Sequence, residues 1–153
     1  MVRLGVRMTR IIVNPDAVFN PQKPRHNDPK GVPWSQAVKA SGTFLFVSGQ
    51  TATDLDGKIL ALGDIFKQTN IALINLQKVV NAGGFEMADI VQLMWFVTDA
   101  EKFYSSGASG LRRNYFEEHS YPASTLVEVR RLADANAMVE VQAIAVSEKP
   151  SLP

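Results

Sequence analysis

Cysteine is absent from all 153 residues. That excludes disulfides, zinc thiolates, iron–sulfur clusters and a cysteine nucleophile, and it fits a cytoplasmic protein. Histidine is scarce too. His26 and His119 stand far apart and outside any ligand spacing, so neither a metal nor another cofactor is expected. No apolar run reaches the ~18 residues that a membrane-spanning helix requires. The opening MVRLGVRMTR is basic but lacks the apolar core and small-residue cleavage site of a secretory signal, and Met8 is a second candidate start. A net charge of +1 gives no general attraction to anionic membrane or nucleic acid, so neither is expected as a partner. A Gly-rich phosphate loop is missing, as is the G-x-S-x-G of a nucleophile elbow, which leaves Ser48 reading as a strand serine.

The chain does have the makings of one core. Hydrophobic residues are 46% and charged residues 20% of the total, as in an ordinary single globular domain spanning 1–153. Ile11 to Val13 reads as a short first strand. Residues 14–33 hold five prolines and one glycine and read as a surface loop able to cover something. QAVKA and TFLFVSGQ flank Ser41-Gly42 and predict a hairpin. Both faces of TFLFVSGQ are apolar, so it is expected to be covered on both sides. Asp64 caps a predicted helix with Ile65, Ala72, Leu73, Leu76, Val79 and Val80 on one stripe, and Gly83-Gly84 ends it.

DIVQLMWFVT (89–98) predicts a strand. Residues 100–118 predict a second helix anchored by Phe103, Leu111, Tyr115 and Phe116 but weakened by Gly107 and Gly110. Strands at 125–131 and 138–146 complete the order β-β-β-α-β-α-β-β. One mixed sheet with two helices on one face is the natural α+β packing, and the uncovered apolar face implies a homo-oligomer.

Few residues invite chemistry. Glu140 shares a mostly apolar strand face with Met138, Gln142 and Ile144. A carboxylate there is costly unless paired or wetted. Periodicity favours an ion pair with Arg130 or Arg131 on the adjacent strand over acid–base work, and more strongly so for Glu128. The pairs Arg112-Arg113 and Arg130-Arg131 read first as surface or interface cations. Trp34 lines a pocket or plugs the core. Ser124 and Thr125, after Tyr121-Pro122, either face a ligand or simply begin a strand.

Taken together, P-W-S-Q-A-V (33–38), F-V-S-G-Q (46–50), G-D-I-x-x-Q-T-x-x-A-L-x-N-L (63–76), D-I-V (89–91), V-T-D (97–99), Y-P-A-S-T-x-V-E-V (121–129) and V-E-V-Q-A-I-A-V (139–146) resemble the RidA/YjgF family, also labelled endoribonuclease L-PSP or translation initiation inhibitor. The resemblance covers about 33–146 in unbroken order, leaving 1–32 as an N-terminal extension and Pro-rich loop. It implies a chorismate-mutase-like fold and a homotrimer with small-molecule clefts between subunits. It also implies cofactor-free hydrolysis of reactive enamines and imines to a 2-keto acid and ammonia.

In that family an arginine in P-A-R-S holds the substrate carboxylate and a glutamate in the last strand positions water. A tyrosine after a proline lines the cleft, and the glycine of S-G-Q approaches the ligand. Carried over, these positions are Ser124, Glu140, Trp34 and Gly49. The resemblance thus reverses the balance on Glu140 toward a site role. It also leaves Ser124 and Thr125 as cleft hydroxyls where an arginine–carboxylate fork is expected, a loss of charge-assisted contacts worth about 1.5–3 kcal/mol each. Arg112 or Arg113 could restore the cation. The expected activity is a RidA-like hydrolytic deaminase with altered substrate preference. A non-catalytic metabolite-binding trimer is the alternative, and an endoribonuclease the lesser one.

Overall fold

The computed structural model describes residues 10–26 and 29–148; the basic leader with Met8 lies outside them. The order is β1 (Ile11–Val13), β2 (Ala37–Lys39), β3 (Thr43–Gln50), α1 (Ile65–Ala82), β4 (Ile90–Val97), α2 (Ala100–Ser105), β5 (Ala123–Glu128) and β6 (Val139–Ser147), with 3-10 turns at Met87–Asp89 and Ala108–Asn114. The fold is α+β, as expected. Its main sheet is mixed, in the order β3-β6-β4-β5, with β4 and β5 parallel and the other pairs antiparallel.

The expected hairpin across Ser41-Gly42 does not form. β2 pairs with β1 as a separate ribbon, with Val38 opposite Ile12. β3 pairs instead with β6, setting Phe44 on Val146 and Leu45 on Ala145. Gly42 permits this: at φ 138° it passes so close to Ser147 that a Cβ would meet the Ser147 carbonyl at 2.6 Å. An eight-residue apolar strand gains more from a nine-residue partner than from three-residue β2.

α1 forms where the stripe predicts it. The Asp64 carboxylate accepts the Lys67 N–H (3.0 Å) at its start. At its end Gly84, at φ 79°, turns the chain so that Gly84 N–H reaches the Asn81 carbonyl and Phe85 N–H the Val80 carbonyl, a Schellman closure. Ile65, Ala72, Leu73, Leu76 and Val80 are buried against the sheet, while Val79 is exposed and Gln68 and Thr69 take the buried positions. The second predicted helix is broken. Gly107, at φ 80°, separates six-residue α2 from the Ala108–Asn114 3-10 turn. Phe103, Leu111 and Phe116 remain core anchors, with Tyr115 packed against them.

The core lies between these helices and the inner sheet face, formed by Leu93, Trp95, Val97, Val139, Val141 and Ala143. On the outer face Phe96 and Val129 pack with Ile59, Leu132 and Ala137. Farther along that face Phe44 and Phe46 stack at 6.0 Å yet stay 53% and 74% exposed, beside half-buried Met94 and Ile144.

Gln68 ties α1 to the β5–β6 turn: its fully buried amide accepts the Met138 N–H (2.8 Å) and donates to the Asn136 carbonyl (2.9 Å). Gln68→Leu removes both bonds, leaving the half-buried Met138 N–H without this acceptor while the exposed Asn136 carbonyl turns to water. Its expected cost is about 1–3 kcal/mol, read by denaturant unfolding against wild type.

Candidate functional site

β5 ends the sheet order and so forms an edge. Ser35 anchors the preceding loop to it, forming a parallel bridge with Ala123 and accepting 2.7 Å from the buried Gln22 amide. The Gln22 amide also reaches the Trp34 carbonyl, and Val32 N–H bonds the Pro21 carbonyl (2.8 Å). The Pro-rich loop is thereby folded into a wall. Between it, the 3-10 turn and β5 opens a cavity of about 410 Å³, lined among others by Phe19, Arg25, Trp34, Arg112, Arg113 and Ser124. Among the described residues, no aspartate or glutamate lines it.

Arg112 dominates this cavity electrically. It is only 6% exposed. Its Nη1 donates to Ser124 Oγ (3.0 Å) and its Nε to the Ser109 carbonyl (3.1 Å), and the guanidinium sits 5.7 Å from the Trp95 ring. These acceptors are neutral. Burial, with a smaller contribution from the neighbouring Arg113 charge, lowers its pKa from the usual arginine range to about 10. Two arginines in succession on a 3-10 turn diverge: Arg113 reaches instead across to the Gly31 carbonyl of the loop.

Glu140 lies elsewhere. Ser124 is registered on Leu93, which faces the core, whereas Glu140 is registered on Phe96, three residues along β4 and on the opposite face. Thr125, opposite Met94, shares the outer face with Glu140 and not the cavity with Ser124. The joint cleft placement expected for the two hydroxyls therefore does not occur within one chain, because the pleat turns adjacent residues apart. The Glu140 carboxylate rests over Gly49, where a Cβ would overlap it, at a register shift in the β3–β6 ladder. It has no hydrogen bond or ion pair with any described residue. The anticipated pairing with Arg131 is absent, since that guanidinium donates to the Leu132 and Ala133 carbonyls. Glu128 acts locally, and its carboxylate accepts the Ala100 N–H (2.8 Å) at the start of α2.

The cavity thus joins three anticipated residues, Trp34, Ser124 and Arg112, while Gly49, Glu140 and Thr125 occupy the other face. Sequence reasoning missed Phe19 and Arg25, which a Pro-rich loop gives no periodicity to reveal. Among the described residues no cluster of three or more His, Asp or Glu is placed to hold a metal, and no helix is long and apolar enough to cross a membrane.

The family model described as Endoribonuclease L-PSP matches residues 26–147. The chain belongs to this family, the RidA/YjgF or Rid family. A RutC family protein of Pyrococcus horikoshii is 36% identical over 123 residues, covering 80% of this Rid chain and 94% of that one. The 2-iminobutanoate/2-iminopropanoate deaminase of Dermatophagoides farinae is 30% identical over 116 residues, covering 76% and 87%. Among solved structures, YyfB of Yersinia pestis, a Rid-family protein of unknown function, superposes with a TM-score of 0.77 at 25% identity over 90% of this chain and 98% of that one. The YjgF gene product of Escherichia coli gives 0.58 at 33% identity, covering 74% and 87%.

An unpaired buried guanidinium costs the apo fold several kcal/mol of desolvation, which two bonds to neutral acceptors only partly offset. Arg112→Met is therefore expected to melt within about 3 °C of wild type, or above it, in calorimetry at neutral pH without ligand. The sign with pH follows from the lowered pKa. The folded state gives up this proton before the unfolded one, so the Arg112 contribution to stability rises as pH climbs above about 10.

Proposed function

We propose that this Rid-family protein is a hydrolytic deaminase of reactive 2-imino or enamino acids, with Arg112 as the substrate-carboxylate anchor. The observation that carries the reading is the 3.0 Å bond from Arg112 Nη1 to Ser124 Oγ. The resemblance expects a guanidinium at position 124; here a serine stands there, and a guanidinium from the 3-10 turn reaches the same spot. A carboxylate entering the cavity would gain charge-assisted bonds from a cation that has only neutral partners. The activity for which the Dermatophagoides relative is named supports the same chemistry.

The reading needs a second copy of the chain. Glu140 and Ser124 face opposite ways, so one chain cannot present both to one ligand. A homotrimer resolves this if the outer face of one subunit, carrying Glu140, closes the cavity of the next. The exposed Phe44 and Phe46 give such packing its driving force, as exposed apolar patches of this kind mark association sites. In that composite cleft Trp34 and Ser124 shape the ligand's surroundings, and Gly49 leaves room for the Glu140 carboxylate to hold a water. The water adds to the imine carbon while Glu140 relays one of its protons to the nitrogen; the carbinolamine hydroxyl then gives its remaining proton to the nitrogen, again through Glu140, as the C–N bond breaks to release the 2-keto acid and ammonia. No cofactor takes part, and the setting is cytoplasmic.

A non-catalytic binding trimer is the second reading, favoured by the resting place of Glu140 over its own Gly49. The endoribonuclease reading is weakest, since neither His26 nor His119 lines the cavity. Glu140→Gln is expected to lower ammonia release from freshly generated 2-iminobutanoate by about 100-fold or more while ligand-induced thermal stabilisation persists. Equal rates for both proteins would remove Glu140 from the mechanism, and no turnover by wild type would favour the binding reading. Light scattering should give about three times the chain mass, and Phe46→Asp, a charge placed on the apolar face, should shift the particle toward monomer and abolish turnover with it.

A further inference from the structure

We propose that the cavity selects a substrate with two carboxylates, a 2-imino dicarboxylic acid, with one carboxylate on Arg112 and the other on Arg25. The inference rests on the cavity being the imine-binding site and adds the substrate class.

Three observations carry it. The first is charge: Arg25, Arg112 and Arg113 all line the cavity and, among the described residues, no acidic one does. A single carboxylate held by Arg112 leaves the Arg25 charge unmatched. The second is the state of Arg25. Its guanidinium lies 5.0 Å from the Phe19 ring centroid, a cation–π contact that leaves the N–H edges of the group unused. It makes no hydrogen bond or ion pair with any described residue. Phe19 in turn sits 6.4 Å from Trp34, so the aromatic pair holds this cation on the loop wall of the cavity, apart from the turn that carries Arg112. The third is size. About 410 Å³ falls within the range of pockets that enclose drug-sized ligands, and a three- or four-carbon imino acid leaves much of it to water. An acid with a longer chain and a terminal carboxylate fills that volume along the Phe19–Trp34 wall and ends at Arg25.

The test is calorimetric titration of the full chain with the product-type probes 2-oxoglutarate and 2-oxobutanoate at fixed salt. Wild type is expected to bind 2-oxoglutarate about 10-fold or more tightly, the worth of one additional charge-assisted contact. Arg25 is exposed, so its variants should fold. Arg25→Ala should bring the ratio of affinities to within about 2-fold of one, and Arg25→Glu should invert it. Arg112→Met should weaken both probes. Equal affinities in wild type, a ratio untouched by either Arg25 variant, or binding of neither probe overturns the proposal. Turnover of the corresponding imines, measured separately, keeps the two readings apart. A dicarboxylate preference without turnover sinks the deaminase reading and leaves the two-carboxylate selectivity of the cavity standing as a binding property; turnover without preference sinks the selectivity and leaves the deaminase reading.

Discussion

A guanidinium taken out of water, with no carboxylate beside it among the described residues, organises the cavity of this molecule. Arg112 is held by Ser124 Oγ, the Ser109 carbonyl and the Trp95 ring, none of which carries a negative charge. Folding alone gives no reason to tolerate that arrangement, because an apolar side chain of similar length would pack without the desolvation cost. The arrangement makes sense if the missing anion arrives from outside. The cavity wall built by the Pro-rich loop, the lack of acidic lining among the described residues and the serine at position 124, where the resemblance expects an arginine, then fit together around one requirement.

The second constraint is the pleat. Successive residues of β5 face opposite ways, so Ser124 and Thr125 cannot both enter the cavity, and the register of β4 places Glu140 on the far side of the sheet from Ser124. On the proposed reading the two halves of the site, on opposite faces of one sheet, belong to different copies of the chain. The stacked Phe44 and Phe46 on the Glu140 side give such an assembly an apolar contact to bury.

Much of the fold was legible because its signals are local. The Asp64 cap, the α1 stripe and the closing glycine act within a few residues of one another. The pairing of β3 was not legible. Ser41-Gly42 has the composition of a hairpin turn, but the better partner for Phe44 and Leu45 is β6, about a hundred residues later, and only Gly42's close pass by Ser147 reveals the choice. Gly107 was read as a weak point in a helix and proves to be its end. At the cavity, Trp34 and Ser124 were marked by the resemblance, and Arg112 only as one of two arginines able to replace a missing cation. Arg25 and Phe19 stand in an irregular loop where no period marks a side chain as inward. Glu128 looked like a possible acid or an ion-pair partner and instead completes the cap of α2 from 28 residues away.

The described part of the loop at 14–33 is held by a few polar pins, chiefly the Gln22 amide on Ser35 and Trp34, and none of its described residues belongs to a strand of the main sheet. Phe19, Arg25 and Trp34 therefore sit outside the main sheet, on or beside a segment that can change sequence without disturbing the core. On the proposed reading, rewriting this one stretch changes ligand preference while the groups on the strands stay as they are.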